Sequence, residues 1–144
     1  MEIIKMKMEH YNDVFDMMKT FYSSDAVYTN GSEEIFRNDI LQCISDNPFV
    51  EGYIFINEEI MGYGMIARSF STEFSKQCIW IEDLYIKEKY RHQGIGTMFL
   101  EFIKKEFSDC LIRLEIEEEN VHALKAYKKS GFTLLPYQEM MYNK

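Results

Sequence analysis

The chain has 144 residues, a length typical of one compact domain, and its 47% hydrophobic residues are enough to form a core. Its formal net charge of −8 argues against nucleic acid or an anionic membrane as a partner, since both bind basic surfaces. No segment approaches about 18 consecutive apolar residues, and the N-terminal residues lack the apolar run of a signal peptide. We therefore expect a single domain over residues 1–144 in a cytoplasmic protein.

The N-terminal third predicts a strand followed by two helices. Residues 1–8 largely alternate in the manner of a strand, whereas residues 10–22 place their apolar side chains on one helical face. An Asn-Gly pair at residues 30–31 indicates a turn. Ser32 then follows as a typical N-cap for a second helix, which Pro48 ends.

The rest of the chain alternates strand patterns with helix patterns. Two strand patterns joined by a short connection predict a hairpin, and a third follows. Strands are predicted at residues 49–56, 60–68, 77–86, 111–117, 132–135 and 137–142, and helices at residues 94–107 and 121–129. Gly131 suits a left-handed cap at the end of the last helix. This order predicts a mixed α/β domain in which helices cover a central sheet.

The most informative segment is a basic, glycine-containing turn at residues 90–97 (YRHQGIGT), which connects a strand pattern to a helix pattern. The start of a helix leaves backbone N–H groups without partners and carries partial positive charge, so it can bind an anion. Gly94 and Gly96 let a diphosphate approach the backbone closely. The glycine spacing matches neither a P-loop nor a dinucleotide fingerprint. The alternative is a tight connection whose glycines serve packing alone.

Three motifs occur together in the second half of the chain. They are IEDLYI at residues 81–86, Arg-x-x-Gly-x-Gly at residues 91–96, and Asn-x2-Ala-x3-Tyr-x3-Gly-Phe at residues 120–132. Together they closely resemble the GNAT superfamily of acetyl-CoA-dependent N-acetyltransferases. The resemblance implies a layered α/β (mixed α+β) domain. Its central, mostly antiparallel, twisted sheet has about seven strands flanked by four helices, and two strands splay apart at the cofactor site.

The resemblance also implies where acetyl-CoA, the acetyl donor, would bind. The turn that begins at Arg91 holds the diphosphate through main-chain amides, here those of His92, Gln93, Gly94, Ile95, Gly96 and Thr97. The strand before the turn is expected to carry a bulge and to pair its backbone with the pantetheine arm through Leu84, Tyr85 and Ile86. Asn120 is expected to touch the same arm.

Direct transfer to a primary amine needs a base and an acid. An alkylamine has a pKa near ~10.4 and is mostly protonated at neutral pH, while the leaving thiolate has a pKa of about 8.5. By the resemblance, Glu82 is the base, Tyr127 is the acid, and a backbone N–H near Leu84 stabilises the oxyanion. The neighbouring Asp83 is the alternative base. Strand alternation places Glu82 and Asp83 on opposite faces, and a bulge could reset which of them points into the gap. Tyr127 could instead pack against the sheet.

The acceptor is less specified. The acidic chain favours a small amine or polyamine, while a protein N-terminus or a lysine side chain is an alternative. A non-catalytic acyl-CoA-binding sensor is an alternative function. The resemblance is also compatible with a homodimer. The histidines and cysteines lack the spacing of metal ligands, so no metal is expected. Aromatic residues expected near the acceptor loops are Phe21, Tyr22, Tyr28, Phe70 and Phe74.

Overall fold

The computed structural model describes residues 1–27 and 29–144. Its strands are β1 (Glu2–Lys5), β2 (Val50–Asn57), β3 (Glu59–Ser71), β4 (Lys76–Ile86) and β5 (Leu111–Leu114). Its helices are α1 (Tyr11–Tyr22), α2 (Glu33–Ile44), α3 (Ile95–Glu106) and α4 (Val121–Lys129). Short 3-10 turns lie at Met8–His10 and Glu88–Tyr90. Among the described helices, none combines the length and apolar character needed to cross a lipid bilayer.

The five strands form one sheet in the order β1-β2-β3-β4-β5. Neighbouring strands from β1 to β4 are antiparallel, whereas β5 is parallel to β4. Helix α3 makes the crossover between β4 and β5, as a parallel connection requires. The basic turn therefore lies where β4 leaves the sheet and α3 begins.

Each face of the sheet is covered by its own hydrophobic core. On one face, Tyr63 and Tyr85 pack with buried side chains of α1 and α2. On the other, Ile79 and Ile81 pack with the buried face of α3, which includes Phe99. Gly64 permits this second contact, because a Cβ there would lie 2.6 Å from the Phe99 ring. Burial on both faces explains why β2, β3 and β4 are rich in apolar residues.

A bulge in β4 changes which residues face which core. Met65 of β3 is opposite Asp83, but the next residue, Ile66, is opposite Ile81, so Glu82 has no partner on β3. Ile81 consequently faces the α3 side, whereas Asp83 is hydrogen-bonded on the α1–α2 side. Regular alternation would place Ile81 and Asp83 on the same face of the sheet, but the bulge puts them on opposite faces.

Much of the predicted element order is confirmed. The Ser32 side chain caps α2 by accepting from the Ile35 amide at 3.2 Å, and Gly131 has φ +96° after α4. The β2–β3 hairpin turns at Glu58, whose φ is +64°. The first strand is shorter than predicted, and β5 ends at Leu114 instead of residue 117.

The two predicted C-terminal strands, at residues 132–135 and 137–142, are wrong. Those residues form no strand, and the sheet has five strands instead of about seven. A strand needs a neighbour for its backbone groups, and β5 pairs only with β4. Pro136 also removes one donor from this segment. The apolar pattern there leaves Leu134, Met140 and Tyr142 exposed.

Candidate active site

The turn before α3 presents unpaired main-chain amides. Gly94 is the N-cap of α3 and has φ +80°, and His92 has φ +63°. The Gly94 carbonyl accepts from the Met98 amide at 2.9 Å, which begins the helix. The amides of residues 92–97 have no backbone acceptor within the part of the chain that the structure describes. The sequence prediction that this turn has free donors is therefore confirmed.

The space beside the two glycines of this turn is open. A Cβ built on Gly94 or on Gly96 would meet no atom within 4 Å. Gly96 has no positive φ, so neither its backbone conformation nor packing within the chain requires a glycine. The packing alternative for Gly96 therefore has no support. A helix N-terminus with free amides and unfilled space suits a phosphate group.

Arg91 connects this turn to the end of β4. Its Nε donates to the Ile86 carbonyl oxygen at 2.9 Å, and its guanidinium lies 5.6 Å from the centre of the Tyr85 ring. Arg91 therefore holds the start of the turn against the end of β4.

Strands β4 and β5 separate at the site. Their pairing ends at Ile81 and Leu114, although β4 continues to Ile86. Residues 84–86 pair with β3 on one side, and no strand of the described residues pairs with them on the other. The predicted bulge and splay are both present. A backbone edge of this kind can accept an extended ligand in the manner of an added strand.

A cavity of about 1230 Å³ lies beside β5, α4 and the C-terminal segment. Its lining includes Leu114, Glu115, Tyr127 and Glu139. A second cavity, of about 830 Å³, lies around the end of α2 and the start of β2; its lining includes Phe70 of the predicted aromatic set but none of the predicted catalytic or cofactor-binding residues. Of the predicted catalytic and cofactor-binding residues, Tyr127 lines the larger cavity, whereas Glu82, residues 84–86, residues 91–97 and Asn120 do not.

Glu82 and Asp83 have different environments. Asp83 is 3% exposed, and its two carboxylate oxygens accept hydrogen bonds from the Tyr22 hydroxyl at 2.9 Å and the Tyr63 hydroxyl at 2.7 Å. Glu82 is exposed, and no hydrogen bond of its carboxylate affects its pKa. Partial burial raises the pKa of Glu82, and the charges of Asp83, Glu139 and Asp39 raise it further. The reachable carboxylate of the two is Glu82.

Negative charge accumulates around this point. Burial, followed by the charge of Asp83, raises the pKa of Asp39 in α2 to about 6. A hydrogen bond with Glu139, then burial, raises the pKa of Glu115 to about 7. Lys, Arg and His side chains of the described residues form ion pairs elsewhere, and none pairs with these carboxylates. The sequence reasoning missed Asp39, because its position in the second helix pattern gave no sign of this neighbourhood.

Two residues of the α4 motif have structural roles. Tyr127 is half-buried, contacts Phe132 edge-on with ring centres 6.1 Å apart, and has its pKa raised by burial. It packs against the sheet and also lines the large cavity, so both interpretations of this residue have a basis. The Asn120 side-chain oxygen caps α4 by accepting from the Ala123 amide at 3.3 Å.

The predicted aromatic set divides into three parts. Phe21 and Tyr22 pack on the α1–α2 side next to Asp83, whereas Phe70 and Phe74 are exposed. Tyr28 lies outside the described residues. Within the described chain, no group of three or more His, Cys, Asp or Glu side chains is arranged to hold a metal ion.

The family model of the acetyltransferase (GNAT) family matches residues 11–132. The chain is similar to a thialysine N-epsilon-acetyltransferase of Bos taurus, with 33% identity over 75 residues. That match covers 50% of this chain and 44% of the relative, so the chain spans about half the length of the bovine protein.

Solved structures share the fold over nearly the whole chain. A possible acetyltransferase from Clostridium difficile 630 superposes with a TM-score of 0.85 at 16% identity, covering 99% of this chain and 97% of the other. AAC(6')-Iy, in complex with the bisubstrate analogue CoA-S-monomethyl-acetylneamine, gives a TM-score of 0.79 at 13% identity, with the same two coverages. With its helices, splayed sheet and family match taken together, the chain belongs to the GNAT family of acetyltransferases.

Proposed function

We propose that this protein transfers an acetyl group from acetyl-CoA to a primary amine, with a small amine or polyamine as the favoured acceptor. The observation that carries the proposal is the set of free amides at residues 92–97, which face open space at the start of α3. Donors in this arrangement suit the diphosphate of CoA. The bound CoA analogue in the fold relative AAC(6')-Iy supports the same donor.

The rest of the donor would follow the gap between β4 and β5. The backbone of residues 84–86 is unpaired on that side and would bind the pantetheine arm. Because the side-chain oxygen of Asn120 caps α4, the other atoms of this residue would contact the arm. The free main-chain donors near Leu84 are the groups that would stabilise the oxyanion.

Glu82 is proposed as the base and Tyr127 as the acid. Glu82 would take a proton from the acceptor ammonium, after which the amine nitrogen attacks the thioester carbon and the carbon–sulfur bond breaks. Tyr127 would give its hydroxyl proton to the leaving thiolate and regain a proton from the attacking nitrogen, which loses this second proton as it becomes the amide. The raised pKa of Glu82 makes it a stronger base than an ordinary glutamate. Holding both reactants together removes the need for a covalent enzyme intermediate.

The charge of the site supports a cationic acceptor. The charges of nearby carboxylates raise the pKa values of Asp39, Glu82 and Glu115. None of these three has a basic partner among the ion pairs of the described residues. An ammonium group, and still more a polyamine, would relieve that repulsion. The thialysine N-epsilon-acetyltransferase of cattle, by its name, also acts on a side-chain amine.

The test is a CoA-release assay with acetyl-CoA and a panel that contains spermidine, thialysine, free lysine and short peptides. Turnover of the small amines supports the proposal, whereas turnover of peptides alone would support a protein acetyltransferase. Binding of acetyl-CoA without turnover of any amine would support the non-catalytic sensor. Failure to bind CoA at millimolar concentration would refute the donor site itself.

A further inference from the structure

Asp83 is a buried carboxylate whose burial is costly for the fold. Its carboxylate is 3% exposed and has phenol hydroxyls, but no cation, as partners among the described residues. Burying a charge without an opposite charge costs free energy, and well-packed apolar residues at such positions are often as stable. Stability alone therefore gives no reason for a carboxylate here.

The hydrogen bonds of Asp83 join separate elements at the bulge. Tyr22 belongs to α1 and Tyr63 to β3, so the Asp83 side chain links the helical layer, the neighbouring strand and β4. Glu82 is the immediately preceding residue and has no partner on β3. The hydrogen bonds that Tyr22 and Tyr63 donate to Asp83 therefore also restrict the backbone that carries Glu82.

The bulge also explains the spatial relation of the two carboxylates. Counted forward from Ile81, which faces α3, Glu82 points to the α1–α2 side. Counted back from Tyr85, which faces α1 and α2, Asp83 points to the same side. The negative charge of Asp83 therefore acts on Glu82 from close by, across a partly buried surface.

Burial raises the pKa of Asp83, and the hydrogen bonds from Tyr63 and Tyr22 to its carboxylate oppose that rise. We propose that Asp83 is a positioning residue for acetyl transfer: held by Tyr22 and Tyr63, it fixes the bulge and places a carboxylate charge beside Glu82. This inference rests on the proposed function, because it assigns Glu82 the role of base. The charge of Asp83 opposes loss of the proton from Glu82, so Glu82 binds that proton more tightly and is a better base.

Other groups also face Glu82 and must be considered in any titration. The helical layer contributes a tyrosine and an aspartate, and the segments after β5 and α4 contribute glutamates. These groups are Tyr22, Asp39, Asp83, Glu115 and Glu139. Asp83 is the buried carboxylate among them and the largest charge effect on Glu82.

The first experiment measures Glu82 directly and needs no turnover. The side-chain carboxyl carbon of Glu82 is titrated by ¹³C NMR in the wild type, Asp83→Asn and Asp46→Asn, with assignment by Glu82→Gln. We expect the titration midpoint of Glu82 to move to lower pH in Asp83→Asn and to stay at the wild-type pH in Asp46→Asn. Asp46 is an exposed residue that follows α2. An unchanged midpoint in Asp83→Asn overturns the inference.

If Asp83→Asn fails to fold, Tyr22→Phe serves instead. With one donor removed, Asp83 takes up its own proton at higher pH, so the Glu82 midpoint should move in the same direction by a smaller amount. A midpoint that does not move overturns the inference in this variant also.

The second experiment is the pH dependence of kcat/KM with spermidine. Near pH 7, Asp83→Asn should lower kcat/KM by roughly tenfold or less, which is a smaller loss than removal of the base would cause. The ratio of its kcat/KM to that of the wild type should rise again toward low pH. The free-amine fraction cancels in this ratio. A pH-independent loss, or a change in the KM for spermidine alone, contradicts the inference. If no amine is turned over, the proposed function fails, while the NMR titration still decides the role of Asp83.

Discussion

Replacement of Gly96 by valine separates ligand binding from folding. A Cβ at this position meets no atom within 4 Å, and the residue has no positive φ, so the substitution should not strain the chain. Valine is also a better helix former than glycine by a few tenths of a kcal/mol. We therefore expect the melting temperature of Gly96→Val without ligand to equal or exceed that of the wild type.

The same side chain would occupy the space in front of the free amides. Loss of two charge-assisted hydrogen bonds, at about 1.5–3 kcal/mol each, weakens binding by about 3–6 kcal/mol. This corresponds to a Kd for acetyl-CoA that rises roughly 10²- to 10⁴-fold. The matched control is Lys105→Val, an exposed position in the last turn of the same helix.

The assay is isothermal titration calorimetry with two donors, acetyl-CoA and S-acetylpantetheine, which lacks the diphosphate. Gly96→Val should lose affinity for the first donor and keep its affinity for the second. Equal losses for both donors would mean that the side chain blocks the thioester arm instead. Unchanged affinity for acetyl-CoA would refute the assignment of the diphosphate to this turn.

Further substitutions test the chemistry and the fold. Tyr127→Phe should lower kcat by roughly 10²-fold with little change in the Kd of acetyl-CoA, and an unchanged kcat would remove this residue as the acid. Glu82→Gln should lose most activity at the lower pH values at which Glu82 is still ionised and free amine is scarce, and recover as the pH approaches the amine pKa of about 10.4; a uniform loss in the pH–rate profile would instead indicate positioning. The pKa of Glu115 is raised to about 7 in the fold, against about 4.3 for an unperturbed glutamate, so the folded state binds more protons than the unfolded state. Stability should therefore fall as the pH rises through this interval, and thermal melts of Glu115→Gln should show a weaker decline than the wild type. Phe99→Ala should cost about 3–5 kcal/mol in urea unfolding, since the ring is fully buried against Gly64, and a loss below 1 kcal/mol would contradict the described packing of α3.

The features that could be predicted from the sequence are local ones. The apolar faces of α1 and α3, the Ser32 cap and the Gly131 cap all depend on residues close together in the chain. The free amides at the start of α3 were predictable for the same reason, because a strand, a glycine turn and a helix are consecutive there.

The features that could not be predicted depend on partners far away in the chain. Which face Asp83 occupies depends on its register with Met65, and its hydrogen bond to Tyr22 joins residues that lie 61 positions apart. The missing C-terminal strands have the same cause, since an apolar pattern cannot reveal whether a neighbouring strand is available. The resemblance to a family supplied the expectation of a bulge, and the register then located it at Glu82.

The unpaired residue in β4 also constrains how this sequence can vary. Deleting one residue between Ile81 and Tyr85 would restore simple alternation and rotate one half of the strand by half a turn about its axis. Either the tyrosine would leave the layer beneath α1 and α2, or the isoleucine would leave the layer beneath α3. Shortening this strand by a single codon should therefore be far more damaging than most point substitutions within it.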